Sequence, residues 1–191
     1  AKTLFPYTTL FRSMNTIQDF IISNDIDNSL LFISDLAKLM RLTLDNSAKK
    51  SITLEEEISF LKTYIKLENL RFGNRISVSI ELDKAVDYHT RIPVMLLQPF
   101  VENVFVHAFN ENHPNPQLNI TFTMKSNELL ECKIIDNGNG KASFSKLKLH
   151  ESKALKLAEE RLKLIQPEIE NPITINFTEN NGTIVLILLQ I

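Results

Sequence analysis

Two short stretches hold the residue types that do chemistry. The first runs Leu96-Leu97-Gln98-Pro99-Phe100-Val101-Glu102-Asn103-Val104-Phe105-Val106-His107. It sets a carboxylate, a carboxamide and an imidazole into an otherwise apolar helical pattern. Leu97, Val101, Val104, Phe105 and Ala108 mark the buried face. Asn103 and His107, four apart, share another face, with Glu102 beside them. A carboxamide oxygen is a hard ligand suited to Mg²⁺, which keeps most of its coordination for waters and phosphate oxygens. Glu102 is placed to accept a proton, and His107 to meet phosphate or titrate near neutrality. The plain alternative is the solvent face of an amphipathic helix.

The second stretch is Ile134-Ile135-Asp136-Asn137-Gly138-Asn139-Gly140. Asp136 ends an alternating strand, where a lone acid can accept hydrogen bonds from an exocyclic amine such as adenine's. The chain has only four glycines. That is about 2% against a usual ~7%, so two within three residues need a reason. Glycines here would let backbone approach a base closely. A simple Asp-Gly hairpin turn is the alternative.

The elements that must position these residues are legible from periodicity. Helices are expected over residues 14–24 and 27–46, the latter with Leu30, Leu31, Ile33, Leu36, Leu39, Met40 and Leu44 on one face. Thr53-Leu54-Glu55-Glu56 is a capping box opening a third helix to about Phe72, which Gly73 stops. Its acidic start is structural on this reading. Residues 75–82 alternate as a strand. Ile92-Pro93 opens the helix of the first stretch. Residues 117–124 and 129–136 read as strands, 141–151 as a flexible lysine-rich segment, and 152–166 as a helix. Residues 173–177 and 183–189 form a closing hairpin around Asn180-Asn181-Gly182. The fold class expected is α+β: a two-layer sandwich, one mixed sheet with helices on a single face, preceded by a helical segment.

Composition sets outer limits. The chain has 191 residues, is 43% hydrophobic and 23% charged, and carries net charge −2. No basic patch argues for nucleic acid. The apolar runs are too short to span a bilayer. The single Cys132 rules out an intrachain disulfide and a Cys-based zinc site, and its alternating context reads as a buried thiol.

Residues 3–13 (Thr-Leu-Phe-Pro-Tyr-Thr-Thr-Leu-Phe-Arg-Ser) show no helical or strand period. They resemble the translation of a common sequencing-library adapter. The expectation is an artefactual tail over residues 1–13, with the native sequence before Met14 missing.

Together the two stretches resemble the asparagine box and first glycine box of the GHKL superfamily of ATPases. More narrowly, Ile92 through His107 is similar to the motif of sensor histidine kinases of the subfamily that signals to LytTR-type response regulators. The segment ending Leu67-Glu68-Asn69-Leu70-Arg71-Phe72-Gly73, the Glu160-Arg161-Leu162 of the late helix, and Gly182-Thr183 resemble the same subfamily. The resemblance implies the GHKL (Bergerat) ATPase fold and two cofactors, ATP and Mg²⁺. Asn103 would hold Mg²⁺ against the ATP phosphates and Glu102 would act as base. His107 would lie near the phosphates. Asp136 would bind the adenine amine, Gly138 and Gly140 would shape the pocket, and Thr183 would lie near adenine. Arg161 matches, with phosphate contact and helix packing both open. Residues 14–73 would be partial dimerisation and phosphotransfer helices, and 74–191 the catalytic domain. The intact protein would be a homodimer that relays phosphate to a response regulator, with this portion on the cytoplasmic side of a membrane.

Two departures stand out. The family's phosphoacceptor histidine precedes a Leu-Asn-x-Ile that Met14-Asn15-Thr16-Ile17 matches, which puts it at position 8, here Thr8. His89, His107, His113 and His150 do not fit that context, so the chain as given is expected not to phosphorylate itself at the family's site. The next glycine box, Ser-x-Gly-Leu, reads Ser152-Lys153-Ala154-Leu155. If that position needs positive φ, Ala154 costs on the order of 1 kcal/mol. Two further readings stay open: a degenerate module that binds nucleotide or a partner without kinase activity, and a GHKL ATPase or protein kinase of another branch.

Overall fold

The computed structural model describes residues 7–109, 113–139, 153–178 and 182–191. Three helices come first: α1 (Tyr7–Ile22), α2 (Ile26–Ser47) and α3 (Leu54–Arg71), with the short strand β1 (Ser51–Thr53) leading into α3. Then follow β2 (Ser77–Leu82), β3 (Arg91–Pro93), α4 (Gln98–Asn103) and a π-helical turn (Val104–Ala108). Strands β4 (Gln117–Ser126) and β5 (Leu129–Asp136), helix α5 (Lys153–Ile165), and strands β6 (Ile173–Phe177) and β7 (Thr183–Gln190) complete the chain.

The main sheet has the order β2-β4-β5-β7-β6, and a separate two-stranded ribbon pairs β1 with β3. β2 runs parallel to β4 and every other pair is antiparallel, so the sheet is mixed, as expected. Register follows the pleat. Phe122 faces Cys132 across β4 and β5, and Cys132 faces Ile187 across β5 and β7. All three are fully buried, so the thiol is a core residue as predicted. Leu54, Phe60, Leu61 and Tyr64 of α3 share one core with Leu118, Ile120 and Phe122 of the sheet.

The capping box at Thr53 forms as read: its hydroxyl accepts from the Glu56 amide at 3.1 Å, and Glu56 accepts from the Thr53 amide at 2.8 Å. Such caps contribute about 1 kcal/mol. Gly73, with φ +64°, ends the helix in the left-handed conformation that favours glycine.

Three expectations are corrected. α1 begins at Tyr7, so part of the segment without apparent period is helical. The helix is held by packing its later turns on α2, where Phe20 meets the Phe32 ring at 6.0 Å and Ser13 and Thr16 are buried. Pro93 does not open a helix. It ends β3 opposite Ser51, and α4 starts only at Gln98, with Pro99 in its first turn. The intervening residues 94–97 are buried, and Met95 adopts φ +53°, which no α-helix accommodates. Finally, the apolar residues of α2 occupy two faces. Phe32 and Leu39 pack inward, while Leu30 (62% exposed), Leu31, Ile33, Met40 and Leu44 (68% exposed) face outward. Among the described residues, no helix is long and apolar enough to cross a membrane.

Candidate functional site

The first stretch is held from both ends. Its apolar face is buried as expected, with Leu97, Phe100, Val101, Val104, Phe105 and Ala108 all in the core. Phe105 makes an edge contact with Tyr64 of α3 at 6.1 Å and a tilted one with Phe72 at 6.1 Å. At Asn103 the helix changes from α to π. Such single turns recur at functional sites. The π turn runs from Val104 to Ala108, so His107 stands about one turn after Asn103. Glu102 and Asn103 are half-buried, and His107 is exposed. Partial desolvation, and then the Arg12 cation, hold His107 below the ordinary imidazole range.

Asp136 closes β5 and is only 4% exposed. Its Oδ1 accepts from the Gly138 amide at 2.9 Å and from the Thr183 amide at 3.4 Å. Burial raises its pKa, while these donors and the Thr183 hydroxyl pull the other way by favouring the charged form. Two of the residues expected around adenine, Asp136 and Thr183, are thus in direct contact. Asn137 then fixes the turn from outside. Its Oδ1 accepts from the Gln117 amide at 2.7 Å, and its Nδ2 donates to the Asn115 carbonyl at 2.7 Å.

The two stretches meet at the Ala108 carbonyl. The Asn139 amide donates to it at 2.9 Å. A Cβ on Gly138 would lie 2.3 Å from that same oxygen, so only glycine lets the turn reach the end of the π turn. Gly182 is required in the same way, because a Cβ there would sit 2.2 Å from the Asp136 carbonyl. The sequence signals for this second contact are the Asn-Asn-Gly turn and the family resemblance of Gly182-Thr183. Gly140 lies outside the described residues, as do residues 141–151 and Asn180-Asn181 of the closing turn.

Other groups near the site were missed or left open by sequence. Glu68 of α3 is 1% exposed and paired with Arg71. Burial raises its pKa, the Arg71 and Arg12 cations lower it, and the Glu102 charge raises it further. Tyr64, Glu68, Arg71, Glu102 and Arg12 therefore share one field at the α1–α3–α4 junction. Arg161 of α5 packs rather than projecting: its guanidinium donates to the carbonyls of Val94 at 2.7 Å and Lys50 at 2.9 Å. Ala154 lies within α5, where the backbone is helical, so the positive-φ cost does not arise. Among the described residues no three His, Cys, Asp or Glu side chains cluster as a metal cage. Asn103, half-buried at the end of α4, carries a carboxamide oxygen, a hard donor of the kind Mg²⁺ takes beside phosphates and waters.

Residues 9–76 match the family model for histidine kinases. The Sensor protein LytS of Enterococcus faecalis is 29% identical over 130 residues, covering 68% of this chain and 22% of that protein. The Sensor histidine kinase/phosphatase LytS of Staphylococcus aureus is 29% identical over 141 residues, covering 73% of this chain and 23% of that protein. The chain is similar to sensor histidine kinases. It spans about a fifth of the length of these LytS relatives. The family match starts at residue 9, inside the segment that resembles an adapter. Among solved structures, the histidine kinase domain of the Erythrobacter litoralis EL346 blue-light activated histidine kinase superposes with a TM-score of 0.53 at 20% identity. That match covers 88% of this chain and 82% of that one. The catalytic domain of histidine kinase ThkA gives 0.53 at 16% identity, covering 73% and 93%. At these identities the likeness is one of fold, and the fold is that of histidine kinase catalytic domains.

Proposed function

We propose that the chain is the catalytic portion of a two-component sensor histidine kinase, with residues 74–191 binding Mg·ATP and residues 14–73 supplying dimerisation and phosphotransfer helices. The observation that carries this reading is the junction at Ala108, where the Asp136 turn docks on the helix bearing Glu102, Asn103 and His107. Asp136 accepts from the adenine amine beside Thr183. Asn103 offers its carboxamide oxygen to Mg²⁺, and His107 approaches the phosphates. When bound, the cation neutralises charge on the phosphate oxygens. A histidine ring nitrogen attacks the γ-phosphorus as its bond to the bridging oxygen breaks. ADP leaves, and Glu102 takes the imidazole proton. The phosphoryl group then passes to an aspartate of a response regulator of the LytTR type, on the cytoplasmic side of a membrane.

The place of residue 12 in α1 supports this arrangement, although the side chain there belongs to the segment that resembles an adapter. Position 8 lies one helical turn before residue 12 in α1, and the Arg12 charge reaches Glu68 and His107. A histidine at position 8 would enter the same neighbourhood. With Thr8 in place, the chain given is expected to take no label from γ-labelled ATP. Thr8→His is expected to gain acid-labile label, and adding Glu102→Gln to cut its rate about 100-fold, the usual worth of a general base. Labelling of the Thr8 chain on histidine, or equal rates with and without Glu102, would contradict the assignment.

The outward face of α2 supports the homodimer. Ile26, Leu30, Ile33, Ala37, Met40 and Leu44 recur at alternating spacings of four and three, the period of a coiled-coil seam, and all are exposed. Met14 and Ile21 of α1 are exposed as well. A second copy of the hairpin would bury this surface. Sedimentation equilibrium is expected to give a dimer for the chain and a monomer for Leu30→Glu/Leu44→Glu. A monomeric parent chain would remove the proposal.

A further inference from the structure

Residues 94–97 form a buried loop just ahead of the motif helix, so every polar backbone group in it needs a partner. Glu57 of α3, itself fully buried, supplies one side. Its carboxylate accepts from the Met95 amide at 3.2 Å and the Leu97 amide at 3.0 Å. Arg161 supplies the other, donating to the Val94 carbonyl at 2.7 Å. The same guanidinium donates to the Lys50 carbonyl at 2.9 Å, an oxygen that also accepts from the Val94 amide at 3.4 Å. The loop is thus gripped between α3 and α5, and the grip reaches the α2–α3 junction at Lys50. Met95 is held at φ +53°, a strained conformation for a residue with a side chain, and such strain persists only where the surroundings impose it.

We infer that Glu57 and Arg161 are a pair of positioning residues that fix the start of α4, and through it the placement of Glu102 and Asn103, while tying α5 to the helical hairpin. The inference rests on the nucleotide reading above and adds residues to it. Glu57 touches no part of the expected nucleotide site: it acts through residues 95–97, five or more positions before Glu102. Burial pushes the Glu57 carboxyl up to about 7, while the amide donors and the Arg161 charge pull the other way by favouring its charged form.

The test uses Arg161→Lys and Glu57→Gln in the full chain. Lysine keeps the charge but loses the planar fork that spans two carbonyls. Glutamine keeps the shape but has one acceptor oxygen where two amides need one each. Two binding constants are measured by calorimetry for each protein: ATP with and without Mg²⁺, and adenosine alone. Both variants are expected to lose at least tenfold of the Mg²⁺-dependent gain in ATP affinity, with adenosine affinity unchanged within twofold. A role confined to stability would lower all affinities together or none. Folded variants that keep the wild-type Mg²⁺-dependent gain would overturn the inference.

Hydrogen exchange on the wild-type chain decides the matter even if the variants do not fold. The Met95 and Leu97 amides are expected to exchange only with global unfolding, and their exchange at the rate of exposed amides would overturn the clasp. A wild-type chain that binds no nucleotide would instead remove the reading beneath, and the exchange result would still judge the clasp.

Discussion

Replacing Gly138 with alanine is expected to lower stability by about 1–3 kcal/mol and to weaken ATP binding at least tenfold. The new Cβ would lie 2.3 Å from the Ala108 oxygen, 2.6 Å from its carbonyl carbon and 2.7 Å from its Cβ. Two of these are backbone atoms of the π turn, which cannot step aside as a flexible side chain would. Relief must come from separating the Asp136 turn from the helix that carries Glu102, Asn103 and His107. The Asn139 bond to Ala108 at 2.9 Å goes with it. For a chain of this size the destabilisation corresponds to a fall in Tm of roughly 3–10 °C, read by circular dichroism, with affinity read by calorimetry.

Gly73→Ala is the matched control. Its Cβ meets nothing within 4 Å, but its φ of +64° remains unfavourable for alanine. The expected cost is on the order of 1 kcal/mol, with ATP affinity unchanged. Equal affinity in the Gly138→Ala and wild-type chains would show that the Ala108 junction does not shape the nucleotide site.

Local signals carried much of the fold. Strands β5 and β6 fall on the residues expected of them: β5 alternates half-buried with buried positions, and β6 has Ile173 and Ile175 half-buried with Thr174 and Asn176 exposed. The Thr53 capping box is a contact between residues three apart, so sequence alone exposes it. The failure at residues 94–97 involves a distant partner. Residues 94–97 are as apolar as a buried helix, and nothing local reveals that Glu57 takes their amides from nearly forty positions upstream. The two apolar faces of α2 lie side by side around the helix, so a single hydrophobic stripe is what periodicity returns.

The site was legible in its residue types more than in its shape. The resemblance implies that Asp136 and Thr183 each lie near adenine, and their contact with one another depends on β5 pairing with β7. The π turn depends on where the helix end meets Gly138, and no spacing rule reports it. Arg161 was visible as a matched position. Its role needed the Lys50 and Val94 carbonyls, which lie 111 and 67 positions away.

On the proposed reading, ATP is held through a cation seated on Asn103. Asn103 ends α4 half-buried, with a carboxamide oxygen to offer. One protein oxygen with phosphates and waters is the arrangement that Mg²⁺ favours. Removing a hydrogen-bonding partner of a charged group costs about 1.5–3 kcal/mol, which corresponds to roughly 10- to 100-fold in affinity. The decisive measurement is calorimetric titration of ATP, with Mg²⁺ and with EDTA, into the wild-type chain and Asn103→Ala. Wild type is expected to bind more tightly with Mg²⁺, and Asn103→Ala to bind equally weakly in both conditions. Wild-type protein that ignores ATP, or an Asn103→Ala chain with the full Mg²⁺-dependent gain, would contradict it.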